Sequence, residues 1–294
     1  MFYRRKIILA LLQLFDGQLE KIRLQKLLFL FSQCQQKADY DFIPYKYGCY
    51  SYSANADLTT MVKKDALIET ESSFASNEKI DFFNTLKESD KKSLLEVKNL
   101  YGKMTSTALM KHTYITYPFF AINSVKACSI LTKEEFEKVN QSKPSKNKTI
   151  LFTIGYEGIS LEEYLNRLLK NDIKVLVDVR NNPQSMKYGF SKNQLIKYCE
   201  SLDIKYMHFP EVGIRSEQRQ ELKTQTDYDK LFDTYKKENL VETKSIQTTI
   251  LNLLKQYKRI ALTCFEANIC QCHRKYLAES IELLPDFEYE TKHI

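Results

Sequence analysis

The chain has 294 residues, of which 43% are hydrophobic and 28% charged, a balance that excludes a disordered polypeptide. No apolar run approaches the roughly 18 residues a membrane-spanning helix needs, and the length suits two ordinary domains. The net charge of +7 is unevenly placed: residues 1–148 hold 23 Lys and Arg against 16 Asp and Glu, and the remainder holds 21 against 21.

A basic first half beside a neutral second half fits a division of labour in which one part holds a polyanion, DNA being favoured, and the other acts on or senses a ligand. The seven cysteines are an odd number in a long chain, so reduced thiols in a cytoplasmic protein are expected rather than a disulfide framework. The opening stretch MFYRRKIILALLQLF is interrupted by Gln13 and lacks a small-residue cleavage site, so it reads as a helix of the fold. No membrane partner is expected.

In chain order, Ile7, Ile8, Leu11, Leu12 and Phe15 recur at helical spacing and predict a helix over 4–15, stopped by Gly17. The pattern repeats over 20–38 through Ile22, Leu24, Leu27, Leu28 and Phe31, with Arg23 and Lys26 expected on the outer face. Pro44 forbids a helix across 42–48, which reads as an aromatic extended arm into a turn. A helix over 51–64, with Leu58, Met61 and Val62 inward, and a short β element over 66–73 complete the order of a winged-helix or related module.

The motif Leu24-Gln25-Lys26-Leu27-Leu28 followed by Tyr47-Gly48-Cys49-Tyr50-Ser51 resembles the small helical domains that accompany bacterial regulators and defence proteins. That resemblance covers about 70 residues and places Lys46, Tyr47, Ser51, Tyr52, Lys63 and Lys64 near a nucleic-acid face. A protein-protein module with the same packing is the competing reading. Helices are expected to continue over 86–140, interrupted by the aromatic run YITYPFFAIN. The polar segment NQSKPSKNK makes 141–148 the linker between a mainly helical basic domain, 1–140, and an α/β domain, 149–294.

The second half alternates strand and helix signals, which predicts a Rossmann-like, mostly parallel sheet. Ile150 to Ile154 is an apolar strand running into the turn Gly155-Tyr156-Glu157-Gly158. Ser160, with Glu163 three residues on, opens a helix. Further strands are expected at 174–178, 205–209 and 259–264, with a helix capped by Ser191 over 192–202, a charged helical stretch over 216–257, and a last helix opened by Cys272-His273-Arg274. In such sheets reactive groups gather at the carboxyl ends of strands, so these tips are expected to converge on one crevice.

Read as chemistry, the Gly155 turn, with Tyr156 and Glu157, offers backbone N–H groups to a phosphate, and Arg180 and Arg274 can grip one bidentately. Asp178, Glu211 and Glu266 are the acidic groups, and His208 and His273 can shuttle a proton. Asp178, Glu266, His208 and His273 are the catalytic candidates; Ser191 and Cys272 join Gly155, Tyr156, Glu157, Arg180, Glu211 and Arg274 as ligand-binding ones. A structural ion pair is the alternative for Asp178 with Arg180. Cys264, Cys270, Cys272 and His273 supply enough ligands for zinc, but Cys-x-Cys-His lacks the two-residue spacer that lets paired ligands wrap one metal, so no metal or other cofactor is expected. A cysteine phosphatase or sulfurtransferase loop is disfavoured because Cys272 lies too close to Arg274 and Cys264 too far.

The ordered set Thr153-Ile154-Gly155-Tyr156, Val177-Asp178-Val179-Arg180, Phe190-Ser191, His208-Phe209-Pro210-Glu211-Val212-Gly213, and Cys264-Phe265-Glu266 with Cys272-His273-Arg274 closely resembles the bacterial domain-of-unknown-function family 488. The resemblance implies an α/β domain, covers about half the chain, and carries a suggested link to DNA metabolism or phage defence. The expected function is a nucleic-acid-associated protein with an enzyme-like pocket for a nucleotide, nucleobase or modified base. A ligand sensor with a DNA-binding domain and a protein-interaction scaffold are the alternatives.

Overall fold

In the computed structural model, which describes residues 1–215, 218, 222 and 224–294, the chain divides into two compact units, Met1–Lys143 and Pro144–Ile294. Helix α1 (Tyr3–Leu14) buries the stripe from Ile7 to Leu12 and gives way, through residues with positive φ at Asp16 and Gly17, to strand β1 (Gln18–Glu20). Helix α2 (Lys21–Cys34) is buried on every side from Leu24 to Ser32, so it has no outer face at that level. The expectation for Lys26 is therefore overturned: the side chain is 2% exposed and its ammonium donates to the Cys49 carbonyl at 2.8 Å.

The arm around Pro44 folds as an antiparallel hairpin, β2 (Ile43–Tyr45) with β3 (Gly48–Tyr50), turned at Gly48 with φ +87°. Helix α3 (Tyr52–Lys63) follows, capped by Ser51, whose hydroxyl accepts from the Ala54 N–H. Then come β4 (Leu67–Glu69) and β5 (Ser73–Ser76), which join β1 in an antiparallel sheet of order β1-β5-β4. Asp57 of α3 anchors this arrangement, accepting from Arg5 at 2.7 Å and from the Tyr40 hydroxyl at 3.0 Å. Helices α4 (Glu88–Tyr101), α5 (Ser106–Thr116), α6 (Ala127–Ile130) and α7 (Lys133–Ser142) complete the unit. α7 starts at a capping box closed by Thr132 and Glu135 and runs through Ser142, so helix occupies part of the stretch read as a linker.

The second unit opens with β6 (Ile150–Gly155) and α8 (Leu161–Lys170), the helix capped by Ser160 through the Glu163 N–H. It continues with β7 (Val175–Asp178), α9 (Lys192–Glu200), β8 (Lys205–His208), α10 (Gln225–Lys237), α11 (Asn239–Glu242), α12 (Lys244–Tyr257), β9 (Arg259–Cys264), α13 (His273–Glu282) and β10 (Glu290–His293). Of the charged stretch expected to be helical over 216–257, residues 216, 217, 219–221 and 223 lie outside the described residues. All five strands run parallel, in the order β10-β6-β9-β7-β8. The three inner strands are buried residue for residue, as a sheet covered on both faces requires, whereas edge strands β8 and β10 are partly exposed. The connection after β6 travels one way along the sheet and the connection after β9 travels the other, so the carboxyl ends of this adjacent pair mark the switch point where such sheets open a crevice.

Among the described residues no helix is long and apolar enough to cross a membrane. The seven cysteines are unpaired with one another, and four of them are buried.

Candidate ligand cavity and the two strand-tip clusters

At the tip of β7 the chain places a carboxylate and a guanidinium two residues apart and in direct contact. Asp178 is fully buried and Arg180 is 5% exposed. One Asp178 oxygen accepts from the Arg180 backbone N–H at 3.1 Å and from Nε at 2.8 Å; the other accepts from Arg180 Nη2 and from the Tyr206 hydroxyl at 2.6 Å. Burial alone would lower the Arg180 pKa, but the Asp178 carboxylate outweighs it and holds it above its ordinary value. Burial and the same carboxylate push the Tyr206 phenol up, so it stays a donor.

Asp178, a catalytic candidate, is thus placed in the buried ion pair that was its alternative reading, and it orients Arg180. The remaining Arg180 nitrogen, Nη1, donates to the Tyr156 hydroxyl at 2.7 Å and to the Phe190 carbonyl at 2.9 Å. The backbone carbonyl of Arg180 receives His208 Nε2 at 2.8 Å, and His208 Nδ1 lies 3.1 Å from Lys192 Nζ. His208 is thereby a strut under the loop rather than a proton carrier at a surface.

Tyr156 stacks on Phe190 with centroids 4.2 Å apart and planes 9° from parallel, and meets Phe265 edge-on at 5.3 Å. With one face of its ring on Phe190, Tyr156 is part of a wall, not a platform for a stacked base. Its phenol is held above the ordinary value by burial, with Arg180 working against that shift.

Two of the N–H groups expected to face a phosphate at the Gly155 turn are engaged within the fold. The N–H groups of Tyr156 and Glu157 both donate to the Phe265 carbonyl, at 3.1 and 2.9 Å. A Cβ on Gly155 would meet the Glu266 carbonyl oxygen at 2.0 Å, so glycine is needed there because the backbone of the β9 loop passes over it. Arg274 is spent on the same loop: its guanidinium donates to the carbonyls of Glu266 and Ala267, and its Nε is buried without a partner. Exposed Glu157 accepts from the Ala267 N–H at 2.9 Å. Ser191 precedes α9 without capping it, its hydroxyl pairing instead with both backbone groups of Ser185. Glu211 is exposed in a 3-10 turn, where its carbonyl takes the Asn239 amide.

Above Arg180 lies a cavity of about 320 Å³ lined by Tyr156, Arg180, Asn181, Asn182, Gln184, Ser185, Met186, Ile214, Cys264 and Phe265. Of the expected ligand residues only Tyr156 and Arg180 border it. The three amides, the hydroxyl and Phe265 were not singled out, although Asn181-Asn182-Pro183-Gln184-Ser185 directly follows a strand tip, which is the signal that marks such a loop. Gly213 supports it from below: a Cβ there would meet the Asn181 nitrogen at 2.2 Å.

At the tip of β9 a second buried cluster forms. Cys264 Sγ lies 3.1 Å from Glu266 Oε2 and 3.7 Å from His273 Nδ1, and the ligating atoms of Cys264, Cys272 and His273 all fall within 4.8 Å of one another. His273 Nε2 is 2.9 Å from the Val179 carbonyl. The spacing argument against shared ligation by Cys272 and His273 fails, because Cys272 is extended (φ −132°, ψ 133°) and the helix begins only at His273. Exposed Cys270 is not part of the cluster. Burial, reinforced by Cys264 and Glu266, pushes the Cys272 thiol well above its ordinary value.

In the first unit a groove of about 690 Å³ lies among residues of α2, the β2–β3 hairpin, α3 and the β4–β5 turn, and Lys46 and Tyr47 line it. Lys63 and Lys64 are exposed at the end of α3 and do not line that groove. Half-buried Tyr52 packs against Tyr45 and Tyr50. Ser51 is fully buried, with its N–H on the Gln25 side chain, so as an interface residue it is overturned: it is the cap of α3.

A five-stranded, all-parallel sheet with its polar residues at the carboxyl ends of adjacent strands defines the second unit as a Rossmann-like α/β domain. Residues 160–281 match the model of the family described as domain of unknown function DUF488, so the resemblance read from the motifs holds for the C-terminal half. The search of curated proteins and the search of solved structures found no match.

Proposed function

We propose that the cavity above Arg180 receives a nucleobase or nucleotide, and that the basic first unit brings it to nucleic acid, DNA in the first instance. The observation that carries this is the composition of the cavity lining: Asn181, Asn182, Gln184 and Ser185 with Phe265 and the buried Arg180. Amides and hydroxyls read the donor and acceptor edges of a base while an aromatic side chain covers its face, which is how proteins hold a base taken out of its stack. The volume lies at the lower end for small-ligand sites and suits one base with its sugar.

The first unit supports the nucleic-acid part through its element order. α1, β1, α2, α3 and the β4–β5 hairpin, with β1 paired to β5, follow the order of a winged helix, and exposed Lys63 and Lys64 end its third helix. A role in DNA metabolism or phage defence is consistent with such a pairing of domains.

Equilibrium dialysis of the full chain against free bases, nucleosides and nucleotides tests the cavity, with Asn182→Ala and Gln184→Ala expected to weaken retention. No retention of any of them overturns the reading. Incubation with plain and base-modified DNA, followed by a search for abasic sites, nicks and released base, tests for turnover. A non-enzymatic sensor is favoured by the internal saturation of Asp178 and Arg180, and binding without bond cleavage is its signature. For the first unit, three phosphate contacts from Lys46, Lys63 and Lys64 predict a roughly 40-fold loss of DNA affinity between about 50 and about 200 mM salt.

A further inference from the structure

We infer that Cys264, Cys272 and His273 form a binding site for a tetrahedral divalent metal ion of the zinc class, with the Glu266 carboxylate, which lies against Cys264, turning in as the fourth ligand. The first support is the donor set. Two sulfurs and one imidazole nitrogen lie within 4.8 Å of one another in a part of the fold where Cys264, Cys272 and His273 are all buried, and a carboxylate oxygen lies 3.1 Å from one of the sulfurs. Sulfur and imidazole donors with one oxygen suit zinc, and disfavour magnesium or calcium, which take oxygen ligands.

The second support is distance. With Zn–S near 2.3 Å and Zn–N near 2.0–2.1 Å, the sulfur-to-nitrogen edge of a tetrahedral site is about 3.6 Å. Cys264 Sγ and His273 Nδ1 stand 3.7 Å apart. That edge of a tetrahedral site is therefore already in place, while the Glu266 oxygen, 3.1 Å from Cys264 Sγ, must draw back to complete it.

The third is the tautomer. The Val179 carbonyl can only accept, so in the neutral ring the proton sits on Nε2 and the Nδ1 lone pair faces the sulfurs. A backbone carbonyl holding the remote N–H of an imidazole is the outer support that metal-ligating histidines use to fix their orientation.

Charge is consistent as well. Metal uptake releases one proton from each thiol, two in all, and leaves two thiolates, one carboxylate and a dication with a net charge of −1. Cys272 occupies the position just before the first residue of α13, where the helix dipole favours negative charge. Cys264 borders the 320 Å³ cavity and Glu266 borders a second cavity of about 140 Å³, either of which admits an ion. None of this depends on what the larger cavity binds.

The test uses the full chain, purified under reducing conditions, stripped with a chelator and reloaded with zinc. Metal analysis is expected to find about one zinc per chain. Cobalt(II) added to the stripped protein should produce a thiolate-to-cobalt charge-transfer band and the intense visible bands of tetrahedral cobalt. Cys264→Ser and Cys272→Ser should each abolish the band, whereas Cys270→Ser should keep it. Because a cysteine variant at a buried position can fail to fold, unmodified protein supplies an independent readout: zinc should shield two of the seven thiols from a disulfide reagent. Substoichiometric zinc, an oxygen-ligated octahedral cobalt spectrum, or equal thiol reactivity with and without zinc would overturn the site.

Discussion

The tips of β7 and β9 are neighbours in one sheet, yet their buried polar clusters are built on opposite principles. At β7, Asp178 and Arg180 neutralise each other, and each oxygen and nitrogen of the pair meets a complementary group. At β9, the converging atoms of Cys264, Cys272, His273 and Glu266 are electron-pair donors, which can share their space only with protons or a cation between them. The lesson is that burial of polar groups at a strand end does not by itself mark reactivity. An ion pair fixes geometry by itself, whereas a cluster joined through thiol protons can exchange those protons for a cation.

The largest effect that could break this contrast comes from Asp178→Ala. It strands a buried guanidinium, and urea unfolding should show a loss of about 3–5 kcal/mol. A loss below about 1 kcal/mol would mean that Arg180 is satisfied through the cavity instead. Next comes chelation: relative to protein in free zinc at about 100 times the dissociation constant, the stripped protein should be less stable by about 2.7 kcal/mol, and Cys272→Ser should erase the difference. Tyr206→Phe removes one hydrogen bond to a carboxylate and should cost about 1.5–3 kcal/mol, read from the same urea midpoint; a negligible cost would show that the second Asp178 oxygen needs only Arg180.

The smallest effect concerns a third buried charge, Lys26 in the first unit. Burial lowers its pKa below 10.5, with its interaction with Cys49 opposing the shift. In the interval just below that value the unfolded chain binds more protons than the folded one, so folding stability should rise with pH there. Urea midpoints from about pH 7 to about pH 10 should show that rise in the parent protein and a flatter profile in Lys26→Met.

Much of the frame was legible because it rests on local signals. The apolar runs at 150–154 and 259–264, the Ser160 cap and the glycine at 155 each announce a strand, a helix start or a tight corner. β10 was missed because its sequence Glu-Thr-Lys-His carries no apolar pattern: as an edge strand paired only to β6, it has one flank open. The site was legible as a set of positions and not as a set of roles. Asp178, Arg180, Glu266, Cys272, His273 and Arg274 do stand at strand ends and loop junctions. Which of them face one another is decided by contacts across 24 to 94 residues, such as Arg180 to Tyr156 and His273 to Val179, and linear spacing holds no record of those.

The peptide joining Phe265 to Glu266 has a mechanical consequence. The Phe265 carbonyl is held by two amides of the β6 turn and the Glu266 carbonyl, one peptide further on, by Arg274, and the two residues line different cavities. Tied at successive carbonyls, this corner has little freedom to flex, so Phe265 and Glu266 hold their stations at the two cavities without an occupant to brace them.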